Sequence, residues 1–414
     1  MLKRIIKTSF FSIASRGFLT LTNLVILFSI SNSLGEEKLG IYSISAFFYY
    51  LFAFITSFEL TTYFGKEIAH RRDRIEEIKR LFGEIATTFL VGLVFSLLVL
   101  LFLVIFYKKI DASLLIISTI SGIIFGFEKN LSGVLLGMEK MHFEFISQAA
   151  AFGMVAVPVF FCAHRLDIVG VYLLRIAASV VCIVLRSYYT RIVKYLEKKR
   201  ISLKHYSWKE INFFSASGFS FFVQHHIDLF ILSFLISKEL EGAYFLALRI
   251  FLAFNLLAEM TSFALTPYIS RSYRGKNSHR FDLFYTRMFH VQIGLGVCAS
   301  IILFFTRDFL VSFFSSENGS GLTSDFLFYF SFLIFFRFVS YYTGNLLTST
   351  RYQNIRFYIL ITSAALMILL EIILGKLFSV YGIICSRAVV EVFIFIAYLV
   401  AVTKIRDKPM NVNV

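Results

Sequence analysis

The segment LGEEKLGIY at residues 34 to 42 returns in altered form as ISKELEGAY at residues 236 to 244. Both segments are short polar turns that follow a long apolar run, and both end in Gly-x-Tyr, which aligns Tyr42 with Tyr244. Such a copy far along the chain is the first sign of an internal repeat, and a repeat decides the architecture of a protein.

A second pair of segments supports the repeat. IVGVYLLR at residues 168 to 175 matches VYGIICSR at residues 380 to 387, which aligns Arg175 with Arg387. The two matches occur in the same order in each half of the chain. They indicate two halves built on one template.

The composition shows which solvent surrounds this repeat. Of the 414 residues, 58% are hydrophobic, 18% are aromatic and 16% are charged, and the mean hydropathy is +0.76. Soluble domains carry about 25% charged residues. The chain is therefore expected to be a polytopic membrane protein.

Spanning the hydrocarbon takes about 20 mostly apolar residues in one helix, because every backbone polar group must be paired internally. Twelve stretches satisfy this condition, and we predict an all-α protein with twelve transmembrane helices. They lie near residues 9 to 33, 40 to 64, 81 to 106, 112 to 136, 143 to 164, 168 to 189, 213 to 236, 242 to 268, 283 to 306, 322 to 348, 356 to 378 and 380 to 402.

Lysine and arginine orient the helices, because cytoplasmic segments accumulate them. With both termini inside, most basic residues fall in inside segments, so topology explains the net charge of +15 and nucleic acid is not an expected partner. Six helices per half give the two copies the same orientation, as in a parallel transporter repeat. We expect two six-helix bundles, residues 1–205 with a basic linker near 190 to 212, and residues 206–414.

Longer segments carry a resemblance to a known family. They are LGEEKLGIYSISAFFYYLFAFITSFEL after the first span, DLFILSFLISKELEGAYFLALRIFLAFNLLAEMTSFALTPYISR from the seventh, and the hairpin LLGMEKMHFEF before the fifth. With the helix count, they resemble the polysaccharide-export and O-antigen flippase families. These form the Wzx-like branch of the multidrug/oligosaccharidyl-lipid/polysaccharide (MOP) superfamily.

The resemblance implies a function that hydropathy does not show. Such flippases move undecaprenyl-pyrophosphate-linked oligosaccharides from the cytoplasmic to the outer leaflet of the bacterial inner membrane. The implied partners are this lipid-linked oligosaccharide, membrane lipids, a proton or sodium ion, and glycan polymerase and glycosyltransferases. Neither an enzymatic activity nor a cofactor is expected, and no G-x-x-x-x-G-K-[ST] motif for ATP occurs.

Ionisable residues inside the spans are candidate site residues, because a charge at the bilayer centre costs about 2.5 kcal/mol or more. Arginines predominate, and a guanidinium grips phosphate oxygens in a two-pronged way that suits a pyrophosphate. We predict a cationic cleft between the halves whose substrate-binding residues are Arg16, Arg175, Arg249, Arg337, Arg387 and Gln224.

Two alternatives for individual charges stay open. Arg175 and Arg387 would only hold helices together if they form salt bridges to Glu259, Glu371 or Glu391. For three other cations, we expect positions near span ends, from which the charge reaches the headgroups. These are Arg186, Arg287 and Lys129.

The seventh span places polar residues in an apolar run, FSFFVQHHIDLFILSF at 219 to 234. His225 and Asp228 are three residues apart and share a helix face, whereas His226 points elsewhere. Because a histidine beside a carboxylate can relay a proton, His225, Asp228 and Glu259 are the candidates for ion or proton coupling. A structural His–Asp hydrogen bond is the alternative. No metal site is expected, since further ligands at helical spacing are missing.

Three other functions remain open, and for one of them, a channel or a structural membrane protein, the two-half plan offers no specific support. A MATE-like drug or metabolite antiporter that handles organic cations would have an acidic cleft. A polytopic glycan polymerase or ligase would carry a sizeable outside loop, whereas the longest predicted outside connection, at residues 307 to 321, is short. The predominance of arginine favours the flippase.

Overall fold

In a computed structural model of the chain, ten helices and no strands form the described residues, 2–71, 74–190, 208–274, 278–314, 320–350 and 352–406. The basic linker falls largely outside these ranges. The helices are α1 (Leu2–Ser57), α2 (Thr61–His70), α3 (Ile75–Phe106), α4 (Ala112–Gly137), α5 (Met141–Thr190), α6 (Trp208–Leu235), α7 (Lys238–Arg274), α8 (Ser278–Phe314), α9 (Ser320–Ser349) and α10 (Gln353–Arg406).

Three of the long helices contain a break. These breaks explain why ten helices correspond to twelve predicted spans. The described residues contain nine helical segments long and apolar enough to cross a membrane. Three of these segments have a residue of positive φ near their middle, at Gly35 (φ 85°), Asp167 (φ 49°) and Ser379 (φ 55°). Splitting them there gives twelve spans, and the predicted all-α class is confirmed.

The breaks also support the internal repeat. α5 begins at Met141 and breaks at Asp167, and α10 begins at Gln353 and breaks at Ser379, after the same number of residues. A positive φ is strained for a residue other than glycine. Its presence at both equivalent positions, directly before the matched segments, indicates that α5 and α10 follow one template.

The chain packs as two compact units, Met1–Ser233 and Phe234–Val414. In the first unit, α1 packs against α4 and α5, and in the second, α9 packs against α7, α8 and α10. Helix α6 joins the first unit, because Phe230 stacks on Phe47 at 5.0 Å and the Ser233 hydroxyl lies 3.0 Å from that of Tyr107. The predicted division after residue 205, which follows helix number, stays a prediction.

A line of glycines brings α4 against α1 and α2, and it was not predicted from the sequence. A Cβ atom at Gly126 would lie 2.7 Å from the carbonyl oxygen of Ala53, closer than any side chain tolerates. The signal was present as two Gly-x-x-x-Gly motifs at residues 122–126 and 133–137. Small residues at this spacing let membrane helices approach backbone to backbone.

Enlarging one of these glycines should weaken the first unit. We expect Gly126→Leu to lower the free energy of unfolding by about 1–3 kcal/mol or more, because the added atoms force α4 away from α1. Thermal unfolding of the purified protein in detergent measures this. Gly153→Leu is the matched control, since nothing lies within 4 Å of a Cβ atom there. Equal melting temperatures for the two variants would contradict the close packing.

Candidate functional site

Arg175 is a buried cation whose described partners are all neutral. It lies in the second half of α5 and is 8% exposed. Its Nη2 donates hydrogen bonds to Asn23 Oδ1 and to the Tyr42 hydroxyl, both at 2.8 Å, and its guanidinium lies 4.9 Å from the ring centroid of Tyr49. Among the residues that the structure describes, no carboxylate forms an ion pair with it. No carboxylate in the described part of the first unit therefore neutralises its permanent charge.

Four tyrosines interact electrostatically with this guanidinium: Tyr42, Tyr49, Tyr50 and Tyr172. Tyr172 is fully buried, and its hydroxyl lies 3.0 Å from that of Ser45. The ring of Tyr50 stacks on His226 of α6 at 4.2 Å, so α6 reaches this cluster through His226. We call Arg175, Asn23 and the four tyrosines the Arg175 site.

The other candidate residues of α6 are buried as well. Gln224, His225 and Asp228 are 4%, 7% and 0% exposed. Nδ1 of His225 lies 2.8 Å from the carbonyl oxygen of Phe221, and Asp228 Oδ1 accepts the Leu229 N–H at 3.0 Å. These contacts are local to α6, and a role in substrate or ion binding stays a prediction.

In the second unit, three candidate residues share one polar cluster. Arg337 and Glu391 form a buried ion pair, and Arg387, 1% exposed, also interacts electrostatically with Glu391. Tyr341 links Glu259 to the cluster, because it interacts with Glu259, Arg337 and Glu391. The sequence left open the alternative that arginines pair with glutamates. This alternative fits the arginines of the second unit better than it fits Arg175.

Arg16 and Arg249 belong to different surroundings. Arg16 is exposed in the first half of α1, and Arg249 is half-buried with its guanidinium 4.7 Å from the ring centroid of Phe245. The structure thus groups Arg337, Arg387 and Glu259 within the second unit. A common cleft that includes all the predicted arginines stays a prediction.

The expectation that Arg186 reaches the headgroups is wrong. Its side chain is 1% exposed, and Nη2 lies 2.9 Å from Glu128 Oε1 and 3.0 Å from Glu144 Oε1. Nη1 donates to the backbone carbonyl of Glu128 at 2.7 Å. The charge stays inside because α4 and α5 supply carboxylates that compensate it.

The same expectation fails for Lys129, and for Arg287 it stays a prediction. Lys129 forms an ion pair with Glu59, and both side chains are half-buried, so the lysine is retained by a partner in the break between α1 and α2. Arg287 is exposed on α8.

The two glutamates around Arg186 and the tyrosines around Arg175 were not predicted. Tyr42 belongs to the repeated Gly-x-Tyr turn, and Tyr49 follows it by seven residues, which places both on one helix face. That spacing was the available signal. Within the described residues, no group of three histidine, cysteine, aspartate or glutamate side chains has the arrangement of a metal site.

Comparison with known proteins adds the family. The chain matches the family described as Polysaccharide biosynthesis protein over residues 5–273, and the MatE family over residues 215–373. No curated protein sequence matches it.

Several solved structures share the fold. The lipid II flippase MurJ, in an inward closed conformation, has a TM-score of 0.74 at 16% identity, covering 95% of this chain and 87% of its own. An inward-facing multidrug resistance MATE family transporter of the MOP superfamily has a TM-score of 0.68 at 16% identity, covering 94% and 96%. A MOP superfamily transporter from Pyrococcus furiosus has a TM-score of 0.67 at 15% identity, covering 98% and 97%.

At such identities the structural likeness shows the fold alone, whereas the first family match spans more than half of the chain. The resemblance drawn from the repeat segments is thereby confirmed at the level of the superfamily. This multi-pass membrane protein belongs to the polysaccharide biosynthesis protein family, and it has the fold of the MATE and MurJ structures of the MOP superfamily.

Proposed function

We propose that this protein is a flippase for a lipid-linked oligosaccharide, which it moves from the cytoplasmic to the outer leaflet of the bacterial inner membrane by alternating access. One observation carries the proposal: the buried guanidinium of Arg175 is held by neutral groups. A charge in a membrane interior needs a counter-charge or water. An anionic substrate group would supply the counter-charge.

The chemistry of the Arg175 site suits a pyrophosphate-linked sugar. Guanidinium is permanently charged and binds phosphate oxygens through paired N–H groups. The Nε atom of Arg175 is buried and has no hydrogen-bond partner among the described residues, so one donor is available. Tyrosine offers an apolar ring face and a hydroxyl on one side chain, and both suit a sugar ring.

The charge of the site also bears on the alternatives. A drug antiporter for organic cations would need carboxylates where this chain has Arg175 and tyrosines. The Pyrococcus furiosus relative is described as having a binding pocket of reverse polarity that suggests a different function, so pocket charge is a criterion within the superfamily. A polymerase or ligase would need a large loop, yet α8 continues to Phe314 and shortens the connection predicted there.

The remaining candidates complete the proposal. Coupling to a proton or sodium gradient is assigned to His225, Asp228 and Glu259. Contacts to the substrate beyond Arg175 are assigned to Arg16, Arg249, Arg337, Arg387 and Gln224. Glycan polymerase and glycosyltransferases are the proposed partners on either side of translocation.

Replacing Arg175 should abolish most of the transport. We expect Arg175→Gln to lower translocation of a labelled polyprenyl-pyrophosphate glycan in proteoliposomes about 10- to 100-fold. A hydrogen bond to a charged group contributes about 1.5–3 kcal/mol, and each 1.4 kcal/mol is tenfold. Arg175→Lys should recover only part of the rate, because an ammonium lacks the two-pronged geometry.

Arg307→Gln is the control for loss of an arginine elsewhere, since Arg307 belongs to the second unit and packs on Phe304 and Phe328. Translocation of the glycan by Arg175→Gln at the wild-type rate would contradict the proposed function. Export of cationic dyes, with no movement of the glycan, would favour the antiporter.

The proposed orientation, with both termini in the cytoplasm, can be tested by labelling. In a protein with its four native cysteines replaced, we expect Lys109→Cys to react with an impermeant maleimide added to spheroplasts. Arg74→Cys should react only after lysis, because the basic segment around it is expected inside. The opposite pattern would invert the topology.

A further inference from the structure

A buried network of ionisable groups lies in the first unit outside the Arg175 site. Arg186 contacts Glu128 and Glu144 at 2.9 and 3.0 Å, and Gln148 Nε2 donates to Glu128 Oε1 at 3.2 Å. All four residues are at most 8% exposed. The second oxygen of Glu144, Oε2, is buried and has no hydrogen-bond partner among the described residues.

The charges in this network do not balance. Two carboxylates contact one guanidinium, which can compensate only one of them. The other groups facing Glu128 are Ser179 and Cys182 of α5 and Tyr49 of α1, and none of these is a cation. An uncompensated carboxylate in this setting costs several kcal/mol. One bound proton removes that cost.

The second unit shows that the fold does not require a carboxylate at the position of Glu144. By the alignment of α5 with α10, Arg356 occupies the position of Glu144 and Tyr398 that of Arg186. Arg356 and Tyr398 interact electrostatically, so the same two helices carry a cation and a phenol at these positions. The excess carboxylate is therefore a property of the first unit rather than of the template.

Tyr49 connects the network to the Arg175 site. The Arg175 guanidinium lies 4.9 Å from the ring centroid of Tyr49, and the Tyr49 hydroxyl interacts electrostatically with Glu128. A negative charge on the network would therefore make the electrostatic potential at Arg175 less positive, and it would oppose the binding of an anion there.

We propose that Glu128, Glu144 and Arg186 form a proton-binding site, which holds one proton on a glutamate oxygen and favours anion binding at Arg175 while it does. On release, the O–H bond breaks, the proton passes to water, and the network keeps one negative charge. Proton binding alone stands independently of the substrate. The link to anion binding rests on the proposed function.

Infrared spectroscopy of the reconstituted protein tests the proton site directly. At neutral pH we expect the carbonyl stretch of a buried protonated carboxylic acid, which disappears as the pH rises. Glu144→Gln and Glu128→Gln should each lose this band, because the remaining glutamate is then balanced by Arg186. Arg186→Gln should enlarge it, since both carboxylates then need a proton.

Glu59→Gln is the matched control, because Glu59 is balanced by Lys129 in the same unit. The band of the protonated carboxylic acid should persist in Glu59→Gln. A missing band in the wild type, or a band that persists in both Glu128→Gln and Glu144→Gln, would overturn the proton site. The proton site would also be overturned if sodium, compared with choline, raised the melting temperature of the wild type and not that of Glu144→Gln. The network would then bind sodium.

The coupling is tested in proteoliposomes with an imposed pH gradient. Translocation of the labelled polyprenyl-pyrophosphate glycan should accelerate with the gradient in the wild type and lose part of that acceleration in Glu144→Gln, because the proposed coupling through His225, Asp228 and Glu259 is unchanged in this variant. An unchanged acceleration would overturn the coupling. If the infrared band changes as expected while neither the wild type nor Glu144→Gln translocates the glycan, the proposed function is wrong and the proton site is still supported.

Discussion

A charge inside the hydrocarbon must be compensated by the protein, by water or by a ligand, and this constraint organises the polar interior of the protein. Three buried arginines meet it differently. Arg186 contacts two glutamates, Arg337 pairs with one, and Arg175 contacts none among the described residues. The first arrangement has a negative charge in excess, the second is balanced, and the third leaves a positive charge available to a substrate.

These differences developed on one repeated template. α5 and α10 share their length to the break, the strained residue at the break, and an arginine in the following segment. Their polar contacts nevertheless diverge, because Arg175 meets tyrosines whereas Arg387 lies near Glu391. The backbone pattern is kept by helix packing, while individual side chains inside each unit change with few consequences for that pattern.

Close packing of α4 on α1 links the two polar regions of the first unit. A Cβ atom at Gly122 would overlap the backbone of Tyr49, so only glycine permits this approach. The approach places Glu128 of α4 within electrostatic range of the Tyr49 hydroxyl, and the ring of Tyr49 contacts the Arg175 guanidinium. The same glycines that stabilise the unit therefore bring a titratable network next to a cationic site.

The sequence by itself determined the membrane solvent, the all-α class, the twelve spans and the repeat, because hydropathy and turn motifs are local features of the chain. It also indicated Arg175 as a residue of interest, through its place in a repeated segment. Only the tertiary structure decided which charges meet. Glu128, Glu144 and Arg186 come from three different spans, and their pairing depends on helix rotation and contact. Partner choice of that kind has no local signal, which is why Arg186 was expected at the headgroups and lies instead between two glutamates.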